Sequence, residues 1–202
     1  MILILEDNKA LRMIIRKALE KAGYEVKTAE NGKEGLKILK KATPDLIISD
    51  IIMPEMDGFE FLKAIRKKHP LIPFTFLTVK SELDDYTKGY ELGATDYLTK
   101  PFDVDVLLNK VKKRIASGKL LKDIIEKGKN TVDLENILAV DLISSLKENK
   151  IDCKLTISSP YGKGSIELKK GKIKKSVFDV AEDKEALLRI AGLNKGKIKI
   201  ER

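Results

Sequence analysis

Between Ile2 and Ile115 the chain alternates five times between a short apolar run and a stretch with helical spacing. The strand-like runs fall at residues 2–5, 24–29, 46–49, 74–78 and 96–99. The first helix places Leu11, Ile14, Ile15, Ala18 and Leu19 on one face and stops at Gly23. Later helices are predicted over residues 33–41, 59–67, 82–92 and 104–115. Pro44 ends one of them, Pro70 and Pro73 precede the fourth strand, and Ser81 with Asp84 has capping-box-like spacing. Such alternation implies a parallel sheet with helices on both faces, because parallel neighbours need a crossover. Continuous rather than alternating apolar strands agree with burial on both sides. Right-handed crossovers then make a doubly wound sheet the simplest outcome, with its chemistry at the carboxyl ends of the central strands.

Beyond Gly118 the pattern changes. Residues 119–127 carry Leu120, Leu121, Ile124 and Ile125 on one side, a helical stretch that either extends the last helix or forms a linker. The segment Gly128, Lys129, Asn130 is the better boundary. A helix is expected over residues 138–146, with Leu138, Leu142, Ile143 and Leu146 on one face. Strands are expected over 153–158, 165–168 and 172–179, then a helix over 184–191 and a last strand over 197–201. Turns at 160–164 and 170–171 separate the strands. This is a small α+β unit built on an antiparallel sheet. The expected organisation is a first domain over 1–118, a helical linker over 119–130 and a second domain over 131–202.

The 202 residues are 43% hydrophobic and 35% charged, which excludes a disordered chain. A formal net charge of +9 admits nucleic acid, acidic protein or an anionic surface as partner without choosing among them. The single cysteine, Cys153, rules out an internal disulfide, and the single histidine, His69, leaves no zinc ligand set. The apolar start is far too short to span a bilayer, so a soluble cytoplasmic protein is expected.

Polar residues interrupt the apolar strands at their carboxyl ends: Glu6 and Asp7 after the first, Asp50 at the third, Thr78 at the fourth, Lys100 at the fifth. Each taken alone reads as a cap, a turn residue or a solvated charge. In a parallel sheet all five converge on one edge. Three carboxylates cannot all stay ionised there without a counter-charge. A hard divalent cation such as Mg²⁺, held by oxygen ligands and water, supplies it, and Lys100 adds a second positive group. Such a pocket suits an incoming phosphoryl group, with a carboxylate as nucleophile.

Residues 1 to about 116 resemble the receiver domains of two-component response regulators. The resemblance rests on ILILED at 2–7, PDLIISDIIMPEMDG at 44–58, FLT at 76–78 and GATDYLTKPF at 93–102. It implies a flavodoxin-like sheet in the order 2-1-3-4-5. It implies that Asp50 is the phosphoacceptor, used by a histidine kinase, a phosphotransfer protein or a small phosphodonor. Asp7, Asp50 and the carbonyl of Ile52 would bind Mg²⁺ directly, and Glu6 mainly through water. Lys100 would contact the phosphoryl group, Thr78 would donate its hydroxyl to it, and Tyr97 would turn inward as Thr78 moves. The Lys100–Pro101 bond would be cis. Val79 departs from the small residue usual after the threonine, and its bulk is expected to slow phosphorylation or hydrolysis. Such a domain catalyses only its own phosphoryl transfer and dephosphorylation, so an enzyme acting on other substrates is not expected.

Residues 131–202 resemble the PATAN-type domain, also called DUF4388, found behind receivers. That resemblance rests on DLISSL at 141–146, KLTI at 154–157, GSIELKKGKI at 164–173, KEALL at 184–188 and GKIKI at 196–200. Cys153, Ser176 and the lack of a tryptophan before the last strand depart from its pattern. It implies a protein-interaction module. The expected function is therefore signalling from Asp50 through an unnamed partner protein. Phosphorylation-gated nucleic-acid binding by the Lys-rich strands is the alternative, and the scarcity of aromatics for base stacking argues against it. The stretch at 119–127 could also serve homodimerisation. Cys153 is expected to be a small buried hydrophobe rather than a redox thiol.

Overall fold

A computed structural model describes residues 1–79, 89 and 92–202, the side chain of Glu148 excepted. Apart from Gly89 and Leu92, the helix expected over 82–92, with Ser81 and Asp84, falls outside the described residues. The chain divides into two compact units, Met1–Gly118 and Lys119–Arg202.

The first unit carries β1 (Ile2–Leu5), α1 (Lys9–Lys21), β2 (Val26–Ala29), α2 (Gly32–Leu39), β3 (Leu46–Asp50), α3 (Gly58–Arg66), β4 (Phe74–Val79) and β5 (Asp96–Lys100). Helix α4 (Val104–Lys127) follows. The five strands form a parallel sheet in the order β2-β1-β3-β4-β5, the doubly wound arrangement expected. Side chains alternate between two cores, one on each face, as a period of two requires. Leu3, Leu5, Ile47, Phe74 and Phe76 pack in one, and Ile2, Ile4, Leu46, Ile48 and Leu77 in the other. All ten are buried, so neither face of the central strands is left for a partner.

Local chemistry sets the helix starts. Asn8 and Asn31 accept from the Leu11 and Glu34 amides, and Asp57 with Glu60 forms a reciprocal capping box that opens α3. One expectation fails on α1. Ile14 stays 56% exposed, whereas Arg12, a charged residue, is buried. Gly118 does not break the chain either: α4 runs through it. A Cβ there would lie 2.6 Å from Pro73 Cγ, so the glycine serves close packing rather than termination.

The second unit contains β6 (Thr131–Asp133), α5 (Ala139–Glu148), β7 (Cys153–Ser159), β8 (Gly162–Lys169), β9 (Lys172–Phe178), β10 (Ala181–Glu182), α6 (Asp183–Ala191) and β11 (Lys197–Glu201). They form a six-stranded antiparallel sheet in the order β10-β9-β8-β7-β11-β6. Leu155, Ile157, Ile166, Leu168, Ile198 and Ile200 turn inward, and Leu142, Leu146, Ala186 and Ile190 cover them. Leu121 and Ile124 from the end of α4 belong to the same core, so residues 119–127 are packed helix rather than free linker. Cys153 is also in this core, and burial raises its thiol pKa. Strands β6 and β10 were not legible in sequence, because two or three residues are too few to display alternation.

Candidate functional site

Parallel register brings the carboxyl ends of β1, β3, β4 and β5 to one edge of the first sheet. Leu5 pairs with Ser49, Asp50 with Leu77, and Val79 with Lys100. The residues at and just beyond these pairs are therefore brought together, although up to 94 positions separate them in sequence. Carboxylate oxygens of Glu6, Asp7 and Asp50 lie within 4.8 Å of one another. Lys100 Nζ donates to Glu6 Oε2 at 2.7 Å and to Asp50 Oδ2 at 2.6 Å. The second Asp50 oxygen, Oδ1, accepts the Ile51 amide at 2.7 Å.

Electrostatics follow from burial. Glu6 is 1% exposed. Burial pushes its pKa above the usual carboxylate value, the neighbouring Asp50 charge adds to the rise, and the Lys100 bond opposes it. Burial also works against the Lys100 ammonium, but its bonds to Asp50 and Glu6 prevail and raise its pKa. Three carboxylates against one ammonium leave a deficit of positive charge. Oxygen donors at this spacing and with this charge fit a hard divalent cation.

Thr78 and Val79 end β4, Tyr97 lies within β5, and Ile52 follows β3. Thr78 is buried at the end of β4, its hydroxyl donating to the Val79 carbonyl at 2.7 Å. Tyr97 is buried, with its ring 5.4 Å from that of Phe76. Its hydroxyl lies over Gly89, where an added Cβ would come within 1.7 Å. Ile52 and Val79 project their side chains outward, 75% and 64% exposed. The Lys100–Pro101 bond is cis.

One residue escaped the sequence reading. Arg12 Nη1 donates to the carbonyls of Glu6 at 2.5 Å and Asp7 at 3.1 Å. Its Nη2 donates to Glu30 Oε1 at 2.5 Å. The guanidinium thus fixes the backbone of the loop that carries two of the three acids. The available signal was an arginine between Leu11 and Ile15 on a helix whose neighbouring positions are apolar.

Residues 2–112 match the response regulator receiver domain. This chain belongs to that family. The receiver is 42% identical over 113 residues to the DNA-binding transcriptional regulator NtrC of Escherichia coli K12, covering 56% of this chain and 24% of that protein. It is also 42% identical over 101 residues to the alkaline phosphatase synthesis transcriptional regulatory protein PhoP of Bacillus subtilis, covering 50% of this chain and 42% of that one. The chain thus spans about a quarter of the length of the first of these curated relatives and less than half of the second. Among solved structures, the chemotaxis response regulator CheY4 of Vibrio cholerae is 38% identical, with a TM-score of 0.54 over 56% of this chain and 96% of that one. A CheY-like receiver from Methanospirillum hungatei is 30% identical, with a TM-score of 0.57 over 59% of this chain and 95% of that one. No described helix is long and apolar enough to cross a membrane.

Proposed function

We propose that this chain is a phosphorylation-gated response regulator: Asp50 accepts a phosphoryl group, and the second unit passes the signal to a partner protein. The observation that carries the reading is Lys100 bridging Glu6 and Asp50, with Asp7 beside them. Glu6, Asp7 and Asp50, with the Ile52 carbonyl, would hold Mg²⁺. When bound, the ion neutralises charge on the phosphoryl oxygens. The protein's own groups do the rest. Asp50 supplies the attacking oxygen, the donor's P–N or P–O bond breaks, and an acyl phosphate remains on Asp50. The Lys100 ammonium exchanges its carboxylate contact for a phosphoryl oxygen, and the Thr78 hydroxyl turns from the Val79 carbonyl to another. Tyr97, already inward, occupies the side that Thr78 vacates.

A new charge of about −1.5 to −2 at one point biases a pre-existing equilibrium. The donor is a histidine kinase, a phosphotransfer protein or a small phosphodonor. We read the first domain as ending near Gly118 and, on the sequence resemblance of residues 131–202, the second as a PATAN-type interaction domain. Incubation with acetyl phosphate and Mg²⁺ tests the core of this reading. The expected result is a hydroxylamine-labile phosphoryl adduct that needs Mg²⁺ and is absent from Asp50→Asn; equal labelling of that variant defeats it.

A further inference from the structure

The second unit holds cations in places its fold does not require. Residues 169–175 contain five lysines: 169, 170, 172, 174 and 175. All five are exposed, and none has an ion pair among the described residues. Lys169 and Lys172 face each other across the β8–β9 hairpin, a like-charge pairing that destabilises a sheet. Lys170 adopts φ 50°, a left-handed conformation that Gly or Asn takes at less cost. Lys150, just past the end of α5, does the same at φ 53°.

These two strained lysines line one cavity of about 650 Å³. Its other walls are Arg202, Asp152, Ile125 and Ile151. The Asp152 carboxylate is engaged, because its Oδ1 accepts the Lys170 amide at 2.6 Å. The cavity therefore combines isoleucine walls with a predominantly cationic set of charges. The two-residue hairpin turn and the end of α5 set these left-handed conformations, but neither favours lysine over Gly or Asn, so the choice of lysine at both edges of one hollow points to a role outside stability.

We propose that this cavity and the adjoining basic hairpin bind a segment of a partner protein in which carboxylates flank an apolar side chain. The apolar residue would sit against Ile125 and Ile151, and the carboxylates would meet Lys150, Lys170 and the hairpin lysines. Nucleic acid fits less well. A phosphate backbone has no use for isoleucine walls, and the cavity lining offers no aromatic for stacking. The inference rests on the second unit being a protein-interaction module and names the chemistry of its partner.

The test uses the full chain and a fluorescein-labelled peptide repeating Glu-Leu-Glu, followed by anisotropy at physiological salt. The peptide is expected to bind and to weaken as salt rises. Replacing its leucines by glycine, or introducing Lys150→Gly with Lys170→Gly in the protein, is expected to cost about tenfold or more in affinity. Both glycines relieve left-handed strain, so the melting temperature should hold or rise. The proposal is overturned if the double variant binds unchanged. It is overturned equally if a duplex DNA oligonucleotide or phosphatidylglycerol vesicles bind more tightly than the peptide at the same salt. Repeating the titration with beryllofluoride and Mg²⁺ separates the two readings. Equal binding with and without beryllofluoride removes the gating and leaves this surface standing; no peptide binding in either state removes the surface alone.

Discussion

The two sheets bury the same kinds of residue by different rules. Parallel β1 and β3 are covered on both sides, so their functional groups must lie at strand ends, where Glu6, Asp7 and Asp50 are found. The antiparallel sheet is covered on one side, and β7 and β11 read inward and outward in strict alternation: Leu155 and Ile157 in, Lys154 and Thr156 out. Charge follows architecture. Met1–Gly118 has 21 Lys and Arg against 18 Asp and Glu, a net of +3; Lys119–Arg202 has 19 against 13, a net of +6. A two-sided sheet concentrates chemistry at a point. A one-sided sheet spreads charge over a surface, which suits recognition.

The contrast breaks first at Lys100. If the edge works as a focused site, Lys100→Ala should slow phosphorylation by acetyl phosphate about 10²–10³-fold, read on a Phos-tag gel. A loss no larger than that from an exposed lysine such as Lys63 would dissolve the idea of a focused edge. The same pair has a pH signature. The Lys100 pKa is raised above 10.5, so its stabilising contribution is complete below that pH and is lost as pH climbs through the folded value. The stability gap between wild type and Lys100→Ala should therefore narrow above pH 10.5.

One-sided burial makes a sharper demand on β7. Ile157→Ala should cost about 2–5 kcal/mol in urea unfolding. The adjacent Thr156→Ala should stay within about 0.5 kcal/mol. Comparable losses at both positions would contradict a sheet with one wet face. At the focused edge, Arg12→Ala frees the Glu6 and Asp7 carbonyls. Mg²⁺ affinity, measured by calorimetry, is expected to fall about 10-fold. Unchanged affinity would reduce Arg12 to a tie between loops. The smallest effect is expected at Val79. It stands beside Thr78 yet projects outward, so Val79→Ala should speed phosphorylation or hydrolysis only a few-fold, about 1 kcal/mol or less. Identical rates would remove any role for its bulk.

Much of this molecule was legible before any coordinates. The strand-then-helix rhythm announced the parallel sheet, because hydrophobic periodicity is a local property. Glu6, Asp7, Asp50, Thr78 and Lys100 announced themselves as polar interruptions at strand ends, and parallel register then had to gather them. Less visible were features that depend on what a residue meets after folding. The spacing of Asp57 and Glu60 permits a capping box, but only the folded turn shows that both of its hydrogen bonds form. Gly118 looked like a break and proved to be a packing contact with Pro73, a neighbour 45 positions away that no local pattern reveals.

The sequence by itself determined the longer elements, most of their faces and the inventory of charged groups, since these follow from spacing and residue type. Only the tertiary structure decided which charges face one another. It put Arg12 under the acidic loop, bridged Glu6 to Asp50 through Lys100, and set Lys150 and Lys170 in left-handed conformations around one hollow. Electrostatic energy depends on distance and burial, and both are properties of the folded chain.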